Sequence, residues 1–127
     1  MAERRLRILI VEDEMLVAMN IEDMLLELGH EVAGIASRLE PALALARESA
    51  LDAALLDVNL AGSQSFPVAA ALRDRGIPFL FATGYGPKGI IDEFRDWPVL
   101  QKPFRAADLE RAIASLPEGR GRPTASH

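Results

Sequence analysis

Residues 7–14 read RILIVEDE: four apolar residues, three of them β-branched, run straight into three adjacent carboxylates. Ile8, Leu9, Ile10 and Val11 predict a buried strand. Glu12, Asp13 and Glu14 at its end repel one another and cost heavily when desolvated without partners, so a positive charge is expected beside them.

Working outward, short β-like runs recur at 6–11, 31–35, 53–58, 78–82 and 99–101, each bounded by charge, Gly or Pro. Helical patterns lie between them. Met15, Met19, Met24 and Leu28, with Val17, Ile21 and Leu25, trace an apolar stripe that Gly29 is placed to stop. The methionines read as helix packing. A second pattern covers 40–49, with Pro41 in its first turn. A third spans 65–75 and ends at Gly76, a weaker fourth lies at 89–94, and a fifth at 105–116. Alternating strands and helices predict an α/β, doubly wound (βα)5 fold: a five-stranded parallel sheet with helices on both faces. Ala53, Ala54, Leu55, Leu56 and Val58 lack polar alternation, as a strand covered on both sides requires. From Pro117 the sequence reads PEGRGRPTASH with no apolar periodicity, so one domain is set at 1–117 and a disordered tail is expected at 118–127.

The 127 residues are 50% hydrophobic, enough for one domain with its own core. A formal net charge of −5 argues against nucleic acid as a partner, because phosphate neutralisation needs a basic patch. The chain has no cysteine, which excludes disulfides, thiolate nucleophiles and thiolate zinc sites and fits a reducing, cytoplasmic setting. Arg4, Arg5 and Arg7 precede an apolar run too short for a signal peptide. Nothing approaches the roughly 18 apolar residues of a membrane span, so no membrane association is expected.

In an open parallel sheet, ligands bind outside the carboxyl ends of the strands, beside the topological switch point. Here those ends carry Glu12 and Asp13 after the first strand, Asp57 after the third, Thr83 after the fourth and Lys102 after the fifth. Hard oxygen donors in such a group suit Mg²⁺. Three carboxylates are balanced by Lys102 together with one dication, which accounts for the acidic end of the first strand. Read singly, the same residues have plainer roles: the acids as helix caps, Asp57 and Thr83 as turn formers, Lys102 as a solvated strand end.

VEDE at 11–14, LLDVNL at 55–60, FATGY at 81–85 and LQKPF at 100–104 stand in order at strand ends. Together they resemble the receiver domain of bacterial two-component response regulators, over about residues 6–116. FATGY is similar to the signature of one receiver subgroup, known as FAT GUY. The resemblance implies a flavodoxin-like fold with Asp57 as phosphoacceptor, attacking the phosphohistidine of a sensor histidine kinase or phosphotransfer protein. It implies Mg²⁺ held by Asp13 and Asp57 directly, by Glu12 largely through water, and by the Asn59 carbonyl. Lys102 would pair with Asp57 and then with the phosphoryl group, Thr83 would hydrogen-bond that group, and the Lys102–Pro103 bond would be cis. Such a domain is not an enzyme of the ordinary kind; it catalyses its own phosphorylation and dephosphorylation.

Val99 occupies a position that is often an aromatic switch residue in the family, and Ala61 one that is often proline. Tyr85, two residues after Thr83, is a candidate for limiting water at the phosphoryl group, against the plainer reading of a surface aromatic. Trp97 reads as local packing. Because the chain stops soon after the fifth helix, a stand-alone receiver is expected, with output by phosphorylation-dependent protein contact through helix 4, strand 5 and helix 5, including Phe104. A homodimer through helices 4 and 5 stays open, though the short, Gly-containing fourth helix weakens it. The alternatives are a phosphate sink for a shared kinase, a Mg²⁺-dependent phosphatase with an aspartyl nucleophile, and a flavin carrier. The phosphatase lacks its second acid, since Asn59 stands two residues after Asp57, and the acids after the first strand would repel a flavin phosphate.

Overall fold

The computed structural model describes residues 5–117. Arg4, His127 and the tail expected at 118–127 lie outside the described residues. The chain runs β1 (Arg7–Val11), α1 (Met15–Glu27), β2 (Glu31–Ala36), α2 (Leu39–Glu48), β3 (Ala53–Asp57), β4 (Asn59–Leu60), β5 (Ser63–Gln64), α3 (Phe66–Asp74), β6 (Phe79–Thr83), β7 (Val99–Gln101) and α4 (Ala106–Ala114). Two 3₁₀ turns, Gly86–Gly89 and Asp92–Phe94, lie between β6 and β7.

Five strands form one sheet in the order β2-β1-β3-β6-β7, parallel at every pairing. Side chains alternate across each strand, and here both faces are apolar. Leu9, Val11, Ala54, Leu56, Phe79 and Phe81 point into a core closed by α2 and α3, where Ala42, Ala46, Ala69 and Leu72 are fully buried. Ile8, Ile10, Ala53, Leu55, Leu80 and Ala82 fill the opposite core with Ala18, Ile21 and Leu25 of α1 and Leu109 and Ile113 of α4. Covered on both sides, the sheet can offer chemistry only at its ends. Among the described residues, no helix is long and apolar enough to cross a membrane.

The helix expected at 89–94 is not an α-helix. The second 3₁₀ turn, Asp92–Phe94, takes its place, and Gly89, which disfavours a continuing helix, closes the first turn just ahead of it. Phe94 nonetheless anchors the segment, 1% exposed and ringed by Phe66, Phe79 and Phe81 at centroid distances of 5.9, 6.0 and 6.1 Å. The homodimer weighed through helices 4 and 5 therefore lacks the first of them. The β4–β5 hairpin was not expected. Its two-residue turn has positive φ at both positions, 47° at Ala61 and 93° at Gly62, the geometry that suits the right-handed twist of paired strands. Trp97 packs locally as expected, stacked on Phe79 with centroids 4.0 Å apart.

Candidate functional site

The strand order puts β1 and β3 side by side while their following helices, α1 and α3, cover opposite faces, so the switch point lies at the ends of these two strands. Residues 12, 13 and 57 lie there. Carboxylate oxygens of Glu12, Asp13 and Asp57 come within 4.8 Å of one another. Glu12 is 1% exposed, its amide tied to the Ala36 carbonyl at 3.0 Å.

Lys102 reaches in from the end of β7, where its amide donates to the Thr83 carbonyl at 2.9 Å. Its Nζ donates to Glu12 Oε1 at 2.6 Å and lies 3.5 Å from Asp57 Oδ2. The expected pairing with Asp57 is thus secondary to a hydrogen bond with Glu12, the most buried acid of the three, whose charge has the least water to screen it. The Lys102–Pro103 bond is cis, as the resemblance implies. Thr83 is 2% exposed, and its hydroxyl oxygen accepts the Tyr85 amide at 3.1 Å. The Tyr85 side chain is 74% exposed. Asn59 opens β4, two residues beyond Asp57.

Burial pushes the Asp57 carboxyl up to about 7, and the charge of Glu12 adds to the rise while Lys102 opposes it. Burial alone would lower the Lys102 ammonium, but the hydrogen bond to Glu12 and the charges of Asp57 and Glu12 outweigh it and hold it above its ordinary value. Three carboxylates against one ammonium leave the cluster two charges short of neutrality. A set of hard oxygen donors with that deficit fits an oxygen-seeking dication such as Mg²⁺.

The structure also brings in a group that the side-chain pattern does not announce. The Ala61 amide donates to Asp13 Oδ2 at 3.0 Å. Proline, frequent at this position in the resembled family, has no amide hydrogen and cannot adopt the φ of 47° found here. Glu14 stands at the N-cap of α1, but its side chain makes no capping hydrogen bond; its amide instead donates to Glu12 Oε2 at 3.2 Å. Val99, at the common aromatic position, is half-buried against the β6 side of the core.

Residues 8–114 match the response regulator receiver domain. The transcriptional regulatory protein PdtaR of Mycobacterium tuberculosis H37Rv is 32% identical over 111 residues, 84% of this chain and 54% of that one. The phyllosphere-induced regulator PhyR of Methylorubrum extorquens is 34% identical over 118 residues, 89% of this chain and 44% of that one. The chain spans about half the length of the curated relatives it matches. Among solved structures, SdrG from Sphingomonas melonis Fr1 is 46% identical with a TM-score of 0.79, covering 89% of this chain and 97% of that one. PhyR from Brucella abortus is 37% identical with a TM-score of 0.76, covering 88% and 47%. The family match begins at the second residue of β1 and ends at the last residue of α4, so no strand of the parallel sheet falls outside it, and the chain belongs to the response regulator receiver domain family.

Proposed function

We propose that Asp57 accepts a phosphoryl group from the phosphohistidine of a sensor kinase or phosphotransfer protein, in a Mg²⁺-dependent reaction in a bacterial cytoplasm. The phosphorylated chain then signals through contact with a protein partner. The observation that carries this reading is the approach of the Glu12, Asp13 and Asp57 oxygens to within 4.8 Å, with Lys102 Nζ 3.5 Å from Asp57.

Asp57 attacks phosphorus as a carboxylate, forming an acyl phosphate as the P–N bond breaks and the imidazole leaves with the electron pair. No base is needed, because the nucleophile reacts in its ionised form. Asp13 and Asp57 would hold Mg²⁺ directly, Glu12 through water and Asn59 through its carbonyl; the ion supplies positive charge against the carboxylates and the phosphoryl oxygens. Lys102 exchanges its carboxylate partners for a phosphoryl oxygen, and the Thr83 hydroxyl donates to another. Positioning and charge neutralisation do the catalysis. The Tyr85 ring limits water at the acyl phosphate, so Tyr85→Ala is expected to shorten its lifetime; an unchanged decay rate removes Tyr85 from this role.

For output, the likeness to PhyR from Bartonella quintana, described as an anti-anti-sigma factor, supports an effector that binds protein over a phosphate sink; that chain is 31% identical, with 47% of it covered. The contact surface would combine β7, Phe104, α4 and Ile91, which stands just before the second 3₁₀ turn and is 42% exposed. A phosphorylation-dependent partner in a pulldown supports the effector, and its absence favours the sink.

The founding experiment is intact mass after incubation with acetyl phosphate and Mg²⁺. Gain of one phosphoryl group, abolished by EDTA and by Asp57→Asn, is the expected result. No gain from acetyl phosphate or from a phosphorylated kinase would overturn the reading.

A further inference from the structure

The β4–β5 hairpin is welded at its base. The Ser65 amide donates to the Val58 carbonyl at 2.8 Å, Leu60 is 2% exposed, and Asn59 and Leu60 pair with Gln64 and Ser63. At its tip stands Ala61 with φ 47°, the one non-glycine residue with positive φ among the described residues. An L residue keeps that conformation only where its surroundings dictate it. Crowding does not dictate it, since Ala61 itself is exposed. The positive φ instead accompanies a turn that delivers the Ala61 amide to Asp13 Oδ2 at 3.0 Å. Lys102 meanwhile serves Glu12 and Asp57.

We infer that the hairpin is an orienting device for Asp13: the Ala61 backbone amide is a positioning donor that fixes this carboxylate for cation binding. The inference rests on the cation-site reading above. A carboxylate offers about four lone-pair sites, so one amide bond fixes its orientation and leaves the others for an ion. Outer-shell donors of this kind are worth on the order of 10-fold or more in metal affinity.

The test is a Mg²⁺ titration followed by backbone amide NMR shifts, on the unaltered chain, Ala61→Pro and Ala61→Gly. Ala61→Pro removes the donor and is expected to weaken binding by about 10-fold or more, whereas Ala61→Gly keeps both amide and φ and stays within about 2-fold. Proline also disturbs the turn, so a second measurement leaves the hairpin intact: hydrogen exchange of the Ala61 amide, expected to accelerate by about 10-fold in Asp13→Ala while the Ser65 amide, bonded to the Val58 carbonyl at the hairpin base, is unaffected. Equal or tighter binding by Ala61→Pro, or Ala61 exchange indifferent to Asp13, overturns the inference. If the unaltered chain binds no Mg²⁺, the cation-site reading falls and takes the inference with it; if it binds and the variants match it, the inference alone falls.

Discussion

Replacing Asp57 by asparagine is expected to stabilise the metal-free protein, although it removes the proposed phosphoacceptor. Asp57 shares its site with Glu12 and Asp13, the oxygens lying within 4.8 Å, and is offset by Lys102 at 3.5 Å. At an effective dielectric of about 20, each repulsion is worth about 3.5 kcal/mol and the attraction about 4.7 kcal/mol, which leaves about 2 kcal/mol of net strain on the Asp57 charge. Asparagine keeps the shape and removes that charge. The gain depends on pH with a defined sign. The folded carboxyl titrates at about 7 against an ordinary 3.8, so its stability contribution is fully present below 3.8 and is lost as pH rises through about 7. In EDTA, the Asp57→Asn advantage is therefore expected to be near zero at pH 4 and about 2–4 kcal/mol at pH 8, the lower figure from charge repulsion alone and the upper from the full rise that burial and charge together cause, with a gain in Tm of about 8 °C or more for a domain of this size. Urea denaturation across that range measures it, and saturating Mg²⁺ at pH 8 should narrow the gap by stabilising the parent chain. A pH-independent advantage, or none at pH 8, refutes the electrostatic account of the site.

Lys102→Met strips the ammonium from Glu12, which is 1% exposed, and is expected to cost about 3 kcal/mol at pH 8 by urea denaturation, since one partner of a buried pair is left alone. Ser65→Ala removes a fully buried hydroxyl whose oxygen has no hydrogen-bond partner among the described residues, so it should be neutral or stabilising by up to about 1 kcal/mol; a clear loss of stability would show that the hydroxyl is bonded. Arg75→Ala should cost about 1–2 kcal/mol in the same assay, because Nη1 donates to the Ala46 and Ser49 carbonyls, at 2.7 and 2.8 Å, at the C-terminal end of α2.

The sheet was legible because its signal is local: Ile8–Val11, 53–57 and 79–82 are apolar runs that end in charge or hydroxyl, and a parallel sheet is the fold that buries such runs on both faces. Asp57, Glu12, Asp13 and Lys102 follow from the same rule, since each stands just where a strand runs out. Periodicity misled at 89–94, where an apolar spacing was present but the six residues, opened by Gly89, are too short to sustain more than a 3₁₀ turn. The β4–β5 hairpin escaped because each strand has two residues, too few to show alternation, and because alanine at the turn is not the residue that announces positive φ. The Ala61 amide was invisible for a deeper reason: every residue but proline has one, and only the backbone path says where it points. The preference of Lys102 for Glu12 is likewise tertiary, set by which acid is most buried.

The sheet determines how the charge deficit at its edge can be relieved. Val11 and Leu56, the residues just before Glu12 and Asp57, are held opposite each other by the in-register pairing of β1 with β3, and both are buried in a core that leaves neither strand room to slide. Repulsion between the carboxylates therefore cannot relax by moving backbone. It can be answered by a proton, which adds to the rise that burial already gives the Asp57 carboxyl, or by a cation. A proton answers it at the expense of the nucleophile, because protonated Asp57 cannot attack phosphorus. A dication would answer it while leaving Asp57 ionised, and so would link occupancy of the acidic cluster to readiness for the proposed phosphoryl transfer. In the proposed reaction the phosphoryl group carries roughly −2 but replaces the −1 of the Asp57 carboxylate, so it adds about −1 at the same place and tightens the requirement for cations that the three acids already impose. On this account a rigid sheet turns electrostatic strain into ion affinity. A looser edge, able to spread Glu12 and Asp57 apart, would bind the ion more weakly and bring Asp57 closer to ordinary acidity.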